Sequence, residues 1–261
     1  MNTLKIASVL LTAAIMTGCA STSSEPTGSY ARQVATAGGL RLEDQKVPKA
    51  QYDASLSSVT DAGLNTSVLA SSHGFNMGGG AALGVGLAAW LFSPAAPEQK
   101  DAVIAFAPMS LGDKKKVGHD FALTVAQAYK LAFEDMKGFV TTDVLHATFL
   151  GESYVVGGTG PGCSEERKGC TFSAKVIKPD PVKPPSVLGL PQATAYRFAA
   201  GDEVLRSIDY VYDGFDKQTF LLNVSKHLPD WAYVYAAPVR KVSPPMIFHK
   251  GEVHYFVVPD A

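Results

Sequence analysis

Met246-Ile247-Phe248-His249-Lys250-Gly251-Glu252-Val253-His254-Tyr255-Phe256-Val257-Val258 reads as two β-strands around a two-residue turn. Lys250-Gly251 supplies the turn, and such a turn pairs His249 with Glu252 and Ile247 with His254. Phe248, Val253, Tyr255 and Val257 then share a face suited to burial, while His249, Glu252 and His254 share the opposite one. Working back from this closing hairpin, β-rich runs recur at Val144 to Val156, Thr171 to Ile177, Ala195 to Phe198, Ile208 to Tyr212, Thr219 to Val224 and Trp231 to Tyr235. Turn residues separate them. The carboxyl half is therefore expected to be an antiparallel sheet.

One amphipathic helix precedes the strands. From Phe121 to Lys137 the apolar residues Phe121, Val125, Tyr129, Ala132 or Phe133, and Met136 recur at helical spacing. Asp120 is placed to cap its amino end, and Gly138 to provide the left-handed residue past its carboxyl end. Glu134 and Asp135 are adjacent and so diverge on a helix, which makes them a poor acid and base pair. Pro179-Asp180-Pro181-Val182-Lys183-Pro184-Pro185 interrupts the strand pattern, and its proline density predicts extended backbone excluded from a central strand. The fold class is accordingly α+β, an antiparallel sheet with one main amphipathic helix.

A glycine-rich apolar segment stands before that domain. Between Asp61 and Glu98 there is no Asp, Glu, Lys or Arg, and the centre runs from Phe75 to Phe92. Gly80, Gly84 and Ala88 are four apart, so a helix here presents a small-residue face, with Trp90 following, that lets another backbone or a membrane approach closely. The segment resembles the glycine-rich stretches of outer-membrane lipoproteins of the TraT type. Gly84-Val85-Gly86-Leu87-Ala88-Ala89 also fits the loose pattern G-x-G-x-x-A, but no β-rich strand precedes it and no acidic residue stands at the ribose spacing, so nucleotide binding is rejected.

At the amino end, Lys5 and the apolar run Ile6 to Gly18 have the form of a cleavable signal. Ile15-Met16-Thr17-Gly18-Cys19 resembles the lipobox of bacterial lipoproteins. The resemblance implies cleavage before Cys19, acylation of its thiol and usually of the new amino terminus. Two or three acyl chains hold a protein on a membrane far more firmly than one. Ala20 and Ser21 do not match the inner-membrane retention signal of such lipoproteins, which implies the outer membrane, facing the periplasm. The expected organisation is a signal peptide over 1–18, a flexible lipid-anchored tether over 19–45, the glycine-rich segment and its flanks over 46–111, and the α+β periplasmic domain over 112–261.

Composition agrees with a folded chain: 261 residues, 46% hydrophobic and 18% charged, can bury a substantial core. Of 23 basic and 24 acidic residues, only Lys5 leaves with the signal, so the mature chain is slightly acidic. A nucleic-acid partner is therefore not expected, since phosphate binding needs a basic excess. With Cys19 lipidated, Cys163 and Cys170 remain as a pair, and in an oxidising compartment they are expected to form a disulfide. Six residues separate them, which fits neither a C-x-x-C redox motif nor a zinc shell.

The chemistry-bearing motifs sought, G-x-S-x-G, H-E-x-x-H, Walker A and paired C-x-x-C, are absent from the sequence. No catalytic residue and no cofactor is assigned. The metal candidates are His249 and His254, with Glu252 on the same predicted face, and polar alternation alone also produces that trio. Asp209, Asp213 and Asp216 lack calcium-loop spacing. Tyr196, Tyr210, Tyr212, Trp231, Tyr233, Tyr235 and Tyr255 concentrate aromatic surface in the carboxyl half. The leading expectation is a structural or assembly role in an envelope complex, with envelope proteins or further copies of the chain as partners. The alternatives are a periplasmic binding module for glycan or peptide, and a metal-dependent hydrolase centred on His249 and His254.

Overall fold

The structure, a computed structural model, describes residues 27–47, 49, 97–148, 151–163, 170–207, 215–238 and 243–260. In chain order these form α1 (Tyr30–Ala37), β1 (Gln45–Val47), β2 (Ala102–Pro108), α2 (Lys114–Glu134), β3 (Val140–Thr141), β4 (Leu145–Ala147) and β5 (Ser153–Thr159). β6 (Cys170–Lys175), β7 (Asp180–Val182), β8 (Ala195–Phe198), β9 (Leu205–Ser207), α3 (Lys217–His227), β10 (Ala232–Ala236), β11 (Met246–His249), β12 (Glu252–Tyr255) and β13 (Val257–Pro259) follow. The class is α+β.

Three sheets carry the fold. The largest has six strands in the order β12-β11-β10-β2-β8-β7, every neighbouring pair antiparallel. The second joins β3, β5, β6 and β9, with β4 also paired to β5. A parallel pair, β1 with β13, closes the amino end of the described chain onto its carboxyl end.

β2 lies inside the six-stranded sheet, and Ala102 through Ala107 are all buried. It is apolar at every position because both of its faces are covered, which hides it from any search for alternation. Val103, Ala105, Val234, Ala236, Met246 and Phe248 face a core shared with α2 and α3. Ala102, Ile104, Phe106, Tyr233, Tyr235 and Ile247 face a second core, under α1. The expected domain start at 112 is therefore too late, since a central strand precedes it.

The expected tether over 19–45 is shortened likewise. Ser29 caps α1 by accepting from the Arg32 N–H, and Ala31, Val34 and Ala35 on α1 are fully buried. Small side chains let this helix lie close on the sheet. Three small buried residues carry too little apolar periodicity to mark this helix in the sequence.

α2 begins seven residues before the expected start, capped by Asp113, whose carboxylate accepts from the Lys115 and Lys116 N–H groups at 2.9 Å each. The expected stripe is its buried face: Phe121, Val125, Tyr129, Ala132 and Phe133 are within 2% of full burial. The helix ends at Glu134, capped by Asp135 in right-handed conformation, so Gly138 at φ +85° turns the chain four residues later rather than forming the expected left-handed stop. Thr219 to Val224, expected as a strand, lies in α3. Asp216 caps that helix, its Oδ1 accepting from the Thr219 N–H at 3.0 Å, and six consecutive residues from Phe220 to Ser225 are buried. A helix covered on several sides shows no clean stripe, so its β-branched Thr219 and Val224 dominated the reading. Ile208 to Tyr212 lies outside the described residues.

The closing hairpin has the expected register, His249 opposite Glu252 and Ile247 opposite His254. Lys250 and Gly251 take φ +53° and +82°, the pair of positive values that a two-residue turn of the hairpin type needs. The proline run contributes β7, with Pro181 on a sheet edge, where its missing N–H leaves no ladder position open.

Candidate functional site

Cys19 and the contact candidates Gly80, Gly84, Ala88 and Trp90 lie outside the described residues. The Cys163–Cys170 disulfide is formed. It joins the end of the turn after β5 to the first residue of β6, and Cys170 is fully buried against the α2 core.

The hairpin candidates sit under α1. His249 stacks on Tyr233, ring centroids 4.5 Å apart, and its Nε2 lies 2.9 Å from the Asp230 carbonyl oxygen. His254 lies 4.7 Å from the Tyr30 ring, and its Nε2 is buried without a hydrogen-bond partner, the nearest Glu252 oxygen being 3.9 Å away. Burial holds the His254 imidazole below its usual range, against a weaker upward pull from Glu252. Burial also pushes the Tyr30 and Tyr233 hydroxyls up. The register thus brings the trio to one face, but packing spends each member separately. His249 serves a backbone carbonyl and His254 serves the α1 contact. Among the described residues no three His, Cys, Asp or Glu side chains converge as a metal-holding group.

A second polar cluster, not foreseen from spacing, joins α2 to the β4–β5 pair. His119 Nε2 lies 3.2 Å from Glu152 Oε2, and His146 Nε2 lies 3.3 Å from Oε1 of the same carboxylate. His146 also packs on Tyr154, centroids 5.2 Å apart. These three residues come from a helix, an edge strand and the lead-in to β5, and only tertiary packing unites them. Both oxygens of Glu152 are occupied and all three side chains are partly exposed, so the cluster reads as a clasp between helix and sheet. His227 makes a similar link from α3 to Asp135, with Nε2 2.8 Å from Oδ2.

Around β2 the polar groups are structural. Asp101 Oδ1 accepts from the Ala237 N–H at 2.8 Å and its Oδ2 lies 2.9 Å from Lys217 Nζ, tying α3 to the sheet. The buried Glu98 accepts from the Arg41 N–H at 2.9 Å, and its carbonyl accepts from the Tyr235 hydroxyl at 2.7 Å. Tyr233 and Tyr235 are fully buried, so these members of the aromatic set are core rather than a stacking surface. Among the described residues no helix is long and apolar enough to cross a membrane.

No family model, no curated protein and no solved structure matches the chain.

Proposed function

We propose that the chain is an outer-membrane lipoprotein facing the periplasm, with a structural or assembly role in an envelope complex. The observation that carries this reading is the lipobox-like Ile15-Met16-Thr17-Gly18-Cys19 set close before a packed helix. From Cys19 to the capping residue Ser29 there are ten residue steps, a reach of roughly 35 Å even when fully extended. An acylated Cys19 would hold the domain close against its membrane rather than on a long leash. The Cys163–Cys170 disulfide fits an oxidising compartment. The polar clusters favour structure over chemistry: Glu152, Asp101 and Glu98 each bind groups from separate elements.

Mass spectrometry of the amino-terminal peptide tests the anchor, which requires acyl mass on Cys19. Crosslinking in cells with identification of co-isolated proteins tests the role, comparing the native chain with Cys19→Ala and Gly84→Asp. Stable envelope partners lost in the Gly84→Asp chain are expected if Gly80, Gly84, Ala88 and Trp90 form the assembly contact. An unacylated Cys19 would overturn the anchor, and the absence of any partner would overturn the assembly role.

A further inference from the structure

At the carboxyl end of β2 the chain turns through Met109-Ser110-Leu111, exposing Met109 by 41% and Leu111 by 47%, and then enters α2 with Lys114-Lys115-Lys116. All three lysines are exposed. Two further lysines come to the same region. The α2 residue Gly118 lies against the Ile177 carbonyl, with room for no side chain, which brings exposed Lys178 beside the first turn of α2. Exposed Lys183 follows Val182, which is in register with Ala195 and through it with Pro108. Five lysines thus come to the same end of the sheet as two exposed apolar side chains.

Little of this charge is paired locally. Lys116 pairs with Asp120, but among the described residues Lys114, Lys115, Lys178 and Lys183 have no carboxylate at ion-pair distance. By contrast Lys100, Lys130, Lys217 and Lys250 each hold one at 2.7 to 3.0 Å. The acidic groups nearby are Asp113, Asp120, Asp180 and Asp230, the last paired with Lys250 at 3.0 Å. Asp113 accepts two backbone hydrogen bonds at the α2 amino end, which hold its carboxyl below the usual range, and the Lys115 and Lys116 charges act in the same direction. Arg197 stands opposite Asp180 across the β7–β8 ladder. Apolar tips ringed by unpaired cations suit a surface that is oily inside and anionic at its boundary.

The attachment point makes such a surface reachable. The chain enters α1 at Tyr30, whose ring lies 6.4 Å from Tyr233, and Tyr233 is in register with Ile104. Pro108 is four residues along β2 from that level, roughly 13 Å, within the span that the steps from Cys19 allow.

We propose that this end of the six-stranded sheet rests on an anionic phospholipid surface, with Met109 and Leu111 entering the headgroup boundary and Lys114, Lys115, Lys178 and Lys183 facing lipid phosphates. The orientation deepens the anchored reading of Cys19 and rests on it. It would give the domain a fixed face toward its membrane and leave the β3–β4 side for partners.

The test uses the full chain, purified and reconstituted into phosphatidylcholine vesicles with or without phosphatidylglycerol, carrying a polarity-sensitive dye on Leu111→Cys. A second preparation carries the dye on Val140→Cys. The expected result is a blue shift at 111 only in the phosphatidylglycerol vesicles, with no change at 140. Lys114→Glu with Lys115→Glu should lower the docked-to-undocked ratio by at least about 25-fold, since each lysine lost from an anionic surface costs about fivefold; arginine at both positions should preserve the shift. Equal spectra at 111 in both vesicles, or a shift unaffected by charge reversal, would overturn the proposal. The mass of the amino-terminal peptide reports acylation independently. The Cys19→Ser chain mixed with the same vesicles should keep the phosphatidylglycerol-dependent shift in weaker form, so a failed anchor and a failed surface give different results.

Discussion

The six-stranded sheet and the five-stranded sheet solve burial differently. The first is covered on both faces: α2 and α3 lie on Val103, Val234 and Phe248, and α1 lies on Ile104, Tyr233 and Ile247. The second presents Val156, Phe172 and Ala174 to α2, while its β3–β4 edge leaves Val140 71% and Leu145 61% exposed. One sheet is the frame of the domain, and the other is a flank held to it through α2 and through Phe220 of α3, which stacks on Phe172 at 4.4 Å. The residues that join them are aromatic. Phe133 on α2 lies 4.6 Å from Phe220 of α3, 5.8 Å from Phe172 of β6 and 5.6 Å from Phe139, centroid to centroid. Gly158 is tailored to it, since a Cβ there would meet the Phe133 ring at 2.7 Å.

The largest expected effect follows from that joint. Phe133→Ala should destabilise by about 3 to 5 kcal/mol, the usual cost of emptying a fully buried aromatic site. Urea unfolding followed by circular dichroism should show one transition at a lower midpoint. A loss under about 1.5 kcal/mol would mean that the flank collapses readily onto α2. Two transitions would mean that the sheets unfold separately once Phe133 is gone, as expected of a joint, whereas a single transition at an unchanged midpoint would show that Phe133 does not couple them.

The comparison also explains what could be read in advance. β8, β10 and the β11–β12 hairpin were legible because a turn pair and short β-rich runs mark them without reference to distant chain. The buried face of α2 was legible from its stripe. β2 and α3 were not, for one physical reason: elements covered on more than one side lose the polar residues that reveal their period. α1 was missed because its buried residues are alanines and one valine, whose value depends on what they touch. The His119–Glu152–His146 clasp was invisible because its members belong to separate elements, whereas the His249–Glu252–His254 face followed from register alone. That face proved to be packing, which register cannot tell.

The disulfide tests the flank alone. Cys163 and Cys170 close a short loop, and opening it should cost about 2.5 kcal/mol in the chain-entropy model. Reductant should therefore lower the thermal midpoint, with hydrogen exchange rising first in β5 and β6. An unchanged midpoint would show that the β5–β6 ladder already holds the loop, and faster exchange in β10 and β11 before β5 would reverse the ranking of the two sheets.

A smaller effect is expected at the α1 face of the frame. His254 is held neutral by burial, with Tyr30 against it and Glu252 and His249 alongside. Its folded value is depressed below about 6.5, so the unfolded chain binds more protons in the window beneath that value. Stability from this group is present at pH 7 and is lost as the pH falls through 6.5 toward the folded value, at no more than about 1.4 kcal/mol per pH unit. His254→Gln should flatten that part of the profile. A native profile that rises on acidification would place the imidazole in contact with Glu252 as a cation instead.

The least effect is expected where the flank meets solvent, and one substitution made in both sheets sharpens the contrast. Val140→Thr exchanges a methyl for a hydroxyl on a side chain already 71% exposed, so water can satisfy the new group and the change should stay within about 0.5 kcal/mol. Val103→Thr places the same hydroxyl in β2 at 1% exposure, among apolar side chains of the α2 core. There it has no water, and an unmet hydroxyl costs about 1 to 3 kcal/mol. Denaturation midpoints of the two variants isolate burial from chemistry, because the atoms exchanged are identical. Should Val140→Thr cost as much as Val103→Thr, the β3–β4 edge would be covered in solution, and the place to look for its cover would be a second molecule bound to that edge.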